Sequence, residues 1–146
     1  NTLGIPKSIE DTKEIVKDMI RAQQHENQSR YSWQIISKET RKFIGIAGIN
    51  LSLNRFKLGE IHYSILPEYW GNGYATEVAK AIIDTGFNQF GLHKVEAGVA
   101  TGNAASIRVL EKAQMTREGL RRKILPIRGQ WVDNYHYAIV EDDPRD

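Results

Sequence analysis

Glu60-Ile-His-Tyr-Ser-Ile-Leu-Pro-Glu-Tyr-Trp-Gly-Asn-Gly-Tyr-Ala-Thr-Glu77 decides the fold. Ile61, Tyr63 and Ile65 alternate with His62, Ser64 and Leu66, the period-two pattern of a strand. Pro67 has no backbone N–H, so the ladder should end there. Gly71 and Gly73 allow backbone angles that other residues avoid, and they let a ligand approach the main chain. Beyond them Ala75, Val78, Ala79, Ile82, Ile83, Gly86, Phe87 and Phe90 share one helical stripe. Thr76, Glu77, Lys80, Asp84 and Gln89 lie on the other side. The stretch therefore predicts a strand, a glycine turn and a helix. Free N–H groups at such a helix start, reinforced by the helix dipole, suit a phosphate. They also suit an ordinary strand-to-helix turn. The nucleotide triphosphate loop is excluded because no Gly-Lys-Ser/Thr follows, and Thr76 breaks the dinucleotide fingerprint.

Working outward, Ser8-Ile-Glu-Asp11 has the capping-box spacing before an apolar-periodic run, which predicts a helix over 9–24. Residues 23–30 are polar and read as loop. Tyr31, Trp33 and Ile35 alternate as a strand. Residues 38–42 form a charged turn, and the apolar run 43–49 reads as a strand covered on both faces. Residues 54–59 are a further turn. His93 to Ala100 forms the next strand, with Val95, Ala97 and Val99 on one face. A strand–helix–strand unit over 60–100 requires a right-handed crossover, so its two strands should be parallel neighbours. Asn103 suits the cap of a helix over 104–113. Residues 115–125 are extended and basic, 126–129 turn, and 131–140 pair back as a hairpin. The acidic tail 141–146 is expected to be mobile.

The chain has 146 residues, 40% hydrophobic and 26% charged, which fits a single α/β domain over 1–146. No apolar run approaches the ~18 residues of a membrane span. A net charge of +2 argues against nucleic acid as the main partner. The absence of Cys excludes disulfides, thiolate metal sites and a cysteine nucleophile, and agrees with a cytoplasmic setting. No metal is expected.

Trp70-Gly-Asn-Gly-Tyr-Ala75 resembles the Gln/Arg-x-x-Gly-x-Gly/Ala motif of the GCN5-related N-acetyltransferases (GNAT). The fuller run from Pro67 to Glu77 resembles the RimJ/RimL-like branch, which acetylates ribosomal-protein N-termini and in which Trp commonly opens the motif. The similarity continues through Asn103-Ala-Ala-Ser106, Glu111-Lys112, Glu118-Gly119 and Gly129-Gln-Trp-Val-Asp133. It implies a mixed, mostly antiparallel sheet with a central, splayed parallel strand pair flanked by helices. It also implies that the family's first strand and helix are missing before Ser8. One departure is plain: the family's Glu-Lys-x-Gly-Phe is here Glu111-Lys-Ala-Gln-Met115.

The same resemblance implies acetyl-CoA as co-substrate and transfer of its acetyl group to a primary amine, on a protein N-terminus or a small molecule. A non-catalytic acetyl-CoA sensor is the alternative. Gly71, Asn72, Gly73, Tyr74, Ala75 and Thr76 are expected to hold the pyrophosphate through backbone N–H groups, and Trp70 to join them in binding the cofactor. Ile65 and Leu66 should offer backbone groups to the pantetheine, with a Leu66 N–H stabilising the oxyanion. Asn103 is expected to contact the pantetheine, and Ser106 the departing thiolate. Both residues equally suit a helix cap and its neighbour. Glu60 is the candidate base, acting through water, or else a solvated strand end. Tyr137 is an alternative proton donor or a core residue. His62 and His93 read as structural, and His136 as a minor candidate for the reaction. The basic stretch Arg121, Arg122, Lys123 and Arg128 reads as a solvated face or an anion contact. The edge of the last hairpin could pair two copies of the chain.

Overall fold

The computed structural model describes residues 2–5 and 29–145, with only the backbone described for 2–5. The helix expected over 9–24 and most of the loop at 23–30 lie outside the described residues. The elements are β1 (Thr2–Ile5), β2 (Arg30–Ser37), β3 (Phe43–Leu51), β4 (Leu58–Ile65), α1 (Tyr74–Asn88), β5 (Lys94–Ala100), α2 (Ala104–Lys112), β6 (Thr116–Ile127) and β7 (Gln130–Val140). Short 3-10 turns at Asn54–Phe56 and Pro67–Tyr69 flank β4. The strands form one seven-stranded sheet in the order β1-β2-β3-β4-β5-β7-β6. β4 and β5 are the expected central parallel pair, and the unforeseen β1 lies parallel to β2 at the edge. The other neighbours are antiparallel. None of the described helices is long and apolar enough to cross a membrane.

The period-two pattern sets which face each strand buries. In β2 Tyr31, Trp33 and Ile35 point into the core, while Arg30, Ser32 and Gln34 face the other way. Ile61 and Ile65 of β4 and Val95, Ala97 and Val99 of β5 meet Val78, Ile82 and Ile83 of α1 on that same side. α2 adds Leu110. Burying a side chain the size of Ile83 contributes about 1.5–3 kcal/mol, so this face dominates the fold's stability.

Three expectations change. β3 is not covered on both faces: Phe43 and Ile46 are 41% and 47% exposed. Its glycines are explained by close approach. A methyl group at Gly45 would collide with the Ser64 carbonyl, and at Gly48 it would lie 2.6 Å from the His62 ring. Asp84, off the apolar stripe, is nonetheless buried, and the Nε of Arg145 donates to its Oδ1 at 2.7 Å. The second change is the tail, expected to be mobile: Arg145 also stacks over Phe87, so the tail is docked on α1 through residue 145. The third change concerns the turn at 126–129. Pro126 and Ile127 belong to β6, which tolerates proline because it is an edge strand, and the turn narrows to Arg128 and Gly129.

Gln114 takes the place of the family's glycine and has φ +71°. Its N–H donates to the Glu111 carbonyl and that of Met115 to the Leu110 carbonyl, the bonding of a Schellman helix end. Met115 is buried where the family has Phe. The substitution leaves the helix end intact at the cost of a left-handed glutamine.

Candidate active site

β4 and β5 pair only at Leu58↔Lys94, Gly59↔Val95 and Glu60↔Glu96. Both strands run on, β4 beside β3 to Ile65↔Gly45 and β5 beside β7 to Ala100↔Asn134. The pair therefore splays beyond Glu60 and Glu96, and the backbone groups facing into the wedge lose their ladder partners. Successive residues of a strand direct their N–H groups to opposite sides. The Leu66 N–H donates to the Ile44 carbonyl at 2.9 Å, away from the wedge. That engagement removes Leu66 as the oxyanion donor. Strand alternation turns the N–H of Ile65 toward the wedge instead. The Ile65 carbonyl accepts a 2.7 Å bond from the Trp70 indole N–H, which anchors this otherwise exposed side chain at the mouth of the wedge.

The glycine turn follows. Gly71 and Gly73 have φ +81° and +80°, and a methyl group on either would meet nothing within 4 Å. They are glycines for the backbone angle, and the space above them is open. The Asn72 side-chain amide braces the turn by donating to the carbonyls of Tyr69 and Trp70. Gly73 starts α1 without any side-chain cap. The N–H of Glu77 reaches back to the Gly73 carbonyl, so those of Tyr74, Ala75 and Thr76 precede the first helical acceptor. α2 starts differently: Asn103 Oδ1 accepts the Ser106 N–H at 3.1 Å.

The sheet brings together a pair that sequence reasoning missed. The hydroxyls of Tyr63 and Ser106 lie 3.0 Å apart, joining the core face of β4 to the first turn of α2. Burial raises the Tyr63 phenol above its ordinary value, with the Ser106 bond acting in the opposite sense, so it stays protonated at neutral pH. The available signal was a Tyr on a buried strand face, whose hydroxyl must find a partner. Tyr137, by contrast, has its hydroxyl engaged. It donates to Glu111 and accepts from Arg117, which ties α2 and β6 to the core. Core packing is the role this geometry gives it.

The other face of the sheet is acidic at the closed end of the wedge. Glu60 and Glu96 are register partners there. Glu96 Oε2 lies 2.6 Å from His136 Nε2, and an Arg121 nitrogen lies 3.0 Å from His136 Nδ1. Arginine only donates, so Nδ1 accepts and the proton sits on Nε2, facing Glu96. Glu96, Glu118 and His136 could close around a metal. Each already has a protein partner, since Lys94 bonds Glu118 at 2.8 Å. His62 packs over Gly48, and His93 bonds Glu141 at the surface. Two buried side-chain polar atoms of the described residues have no hydrogen-bond partner, Trp33 Nε1 and Asn134 Oδ1. Such a group costs about 1–3 kcal/mol.

The comparisons with known proteins agree with this geometry. The model of the acetyltransferase (GNAT) domain matches residues 2–116. The uncharacterized N-acetyltransferase YoaA of Bacillus subtilis (strain 168) is 36% identical over 109 residues, covering 75% of this chain and 62% of that protein. A GNAT-family acetyltransferase from Bacillus anthracis superposes with a TM-score of 0.70 at 30% identity, over 92% of this chain and 75% of that one. The ribosomal-protein-S5-alanine acetyltransferase of Vibrio fischeri shares the fold, with a TM-score of 0.76 at 24% identity over 92% of this chain and 73% of that one. The chain spans 49–62% of the length of curated relatives such as YoaA. With a family model matched over most of its length, and with the splayed pair and glycine turn in place, the chain belongs to the GNAT acetyltransferase family.

Proposed function

We propose that this chain transfers an acetyl group from acetyl-CoA to a primary amine by direct attack in a ternary complex. One observation carries the reading: a splayed parallel pair leads, through two left-handed glycines, into a helix start that no side chain caps. The residues fit the coenzyme. The free N–H groups at Gly73 to Thr76, under the open space at Gly71 and Gly73, suit a pyrophosphate. Trp70 and Asn72 hold that turn in shape. The unpaired backbone edges of the wedge, from Ile65 inward, suit the amides of a pantetheine arm. When bound, acetyl-CoA supplies the activated acetyl group.

The side chains then divide the reaction between the two faces of the sheet. On the α1 side, the Ile65 N–H polarises the thioester oxygen. As the amine nitrogen bonds to the carbonyl carbon and the C–S bond breaks, Ser106 gives its proton to the departing sulfur. Tyr63, 3.0 Å away, restores it and regains its own proton from solvent, to which Glu60 later releases the one it takes from the amine. On the opposite face Glu60 takes the amine's proton through water. An α-amine, with a pKa near ~7.7–8.0, is neutral far more often at pH 7 than a Lys amine near ~10.4. That difference favours a peptide N-terminus, and the fold likeness to a ribosomal-protein acetyltransferase supports the RimJ/RimL-like reading.

Calorimetric titration with acetyl-CoA, using ATP and NAD as controls, tests the proposal. Selective binding in the micromolar range is the expected result. A folded chain that binds none of the three would reduce the turn to architecture and remove the assignment. Binding without turnover on any amine would make the domain a sensor.

A further inference from the structure

Asn134 lies on β7 opposite Ala100 of β5. Its side chain leans across β5 at Gly98, where a methyl group would sit 2.6 Å from Nδ2. Gly98 is exposed, so glycine there both admits the amide and leaves the strand bare beside it. Asn134 is only 6% exposed, yet its Oδ1 has no hydrogen-bond partner. Buried amides are almost always paired, so this one calls for a ligand.

Strand alternation gives the ligand a direction. Glu96 and Gly98 face away from α1, since Val95, Ala97 and Val99 face toward it. Asn134 and Glu60 lie on that same outer face. Tyr63 and Ser106, the proton donors to sulfur, lie on the α1 side. The amine must therefore arrive from the outer face, between the carboxylates of Glu60 and Glu96 and the amide over Gly98. The carboxylates attract its ammonium form. The amide recognises something further. A carboxamide donates through Nδ2 and accepts through Oδ1, and a half-turn about its last bond exchanges the two ends. The complement of such a pair is another amide.

We propose that Asn134 binds the first peptide unit of an unblocked N-terminus, which makes the acceptor a peptide α-amine and not a polyamine or simple alkylamine. This inference rests on the acetyl-transfer reading above.

The test uses the full chain, acetyl-CoA, and two acceptors, trialanine amide and spermidine. The wild type should prefer trialanine amide. Asn134→Leu should raise the KM for trialanine amide about tenfold, the order of one lost hydrogen bond at the site. Its rate with spermidine and its affinity for acetyl-CoA should stay unchanged. Its Tm should hold or rise, because an unpaired buried amide gives way to an apolar side chain of similar size. Asn134→Ser serves if the Leu variant does not fold, and should move KM in the same direction. Equal losses with both acceptors, no loss with either, or a wild-type preference for spermidine would overturn the inference. So would acetyl-CoA binding without transfer to either acceptor. Failure to bind acetyl-CoA at all would instead overturn the reading beneath it.

Discussion

The chain makes the same structural step twice and finishes it in two ways. Each strand of the splayed pair is followed by a helix, β4 by α1 and β5 by α2. At α2 the step is closed. Asn103 caps the first turn, and a Schellman motif completes the last one. At α1 the step is left open. Gly73 supplies no cap, and two glycines hold the loop in a left-handed shape with empty space above them. A helix start with no side-chain partner is a defect in a merely structural element. Beside a wedge of unpaired strand edges it suits anions and amides, as the proposed function requires. The closed junction in turn places the Ser106 hydroxyl 3.0 Å from that of Tyr63. In the proposed reaction one junction binds and the other positions a proton.

The largest expected effect probes that division directly. Ser106→Ala should lower kcat by about a hundredfold, the lower end of general acid catalysis. Affinity for acetyl-CoA, measured by calorimetry, should change much less. If affinity falls as far as kcat, Ser106 belongs to binding and the contrast between the junctions is wrong. Next in size is Gly73→Asp, which places a carboxylate where the pyrophosphate is proposed to sit. It should weaken acetyl-CoA binding at least about tenfold beyond Gly73→Ala. The Ala variant isolates the strain of a side chain at φ +80°. Salt should narrow the gap between the two variants, because screening acts on the charge and not on the strain. A gap of zero would mean that no phosphate sits at α1.

Asn103→Ala tests the closed junction. Losing the cap should cost about 1 kcal/mol of stability, read from the denaturation midpoint. A junction that only builds should lose stability with little change in acetyl-CoA affinity. A variant of full stability that binds acetyl-CoA poorly would transfer Asn103 from the architecture to the binding site.

Much of this contrast is legible in the sequence. The alternation of Ile61, Tyr63 and Ile65, the glycine turn and the capping position of Asn103 are local patterns, and local patterns state which way a residue faces. They do not state what it meets. Tyr63 reads as a core residue because its partner, Ser106, is 43 positions away. Asp84 falls off the apolar stripe, and its partner Arg145 is 61 positions away. The Glu96–His136 pair spans 40 positions and needs β5 and β7 to be neighbours. Leu66 fails by a single step of strand parity, a distinction that depends on where Pro67 stops the ladder against Ile44. Asn134 carries no local signal, since its environment exists only once Gly98 lies beneath it.

The smallest effect concerns the bond that couples the two junctions. Burial raises the Tyr63 phenol above 10.0 in the folded chain, so folding favours its protonated form. Below pH 10 the phenol is neutral in both folded and unfolded states, and its contribution is level there. As pH rises through 10.0 toward the folded-state value, the unfolded chain ionises first and stability is lost. Tyr63→Phe removes both the titration and the hydrogen bond to Ser106. At neutral pH the variant should be less stable by about 1 kcal/mol. Above pH 10 the two stability curves should converge, because only the wild type loses this contribution. Tyr137 is raised in the same direction and is present in both proteins, so its own alkaline loss cancels in the difference. Curves that stay parallel past pH 10 would place the Tyr63 hydroxyl in water, and β4 would then have no polar tether to the closed junction through that residue.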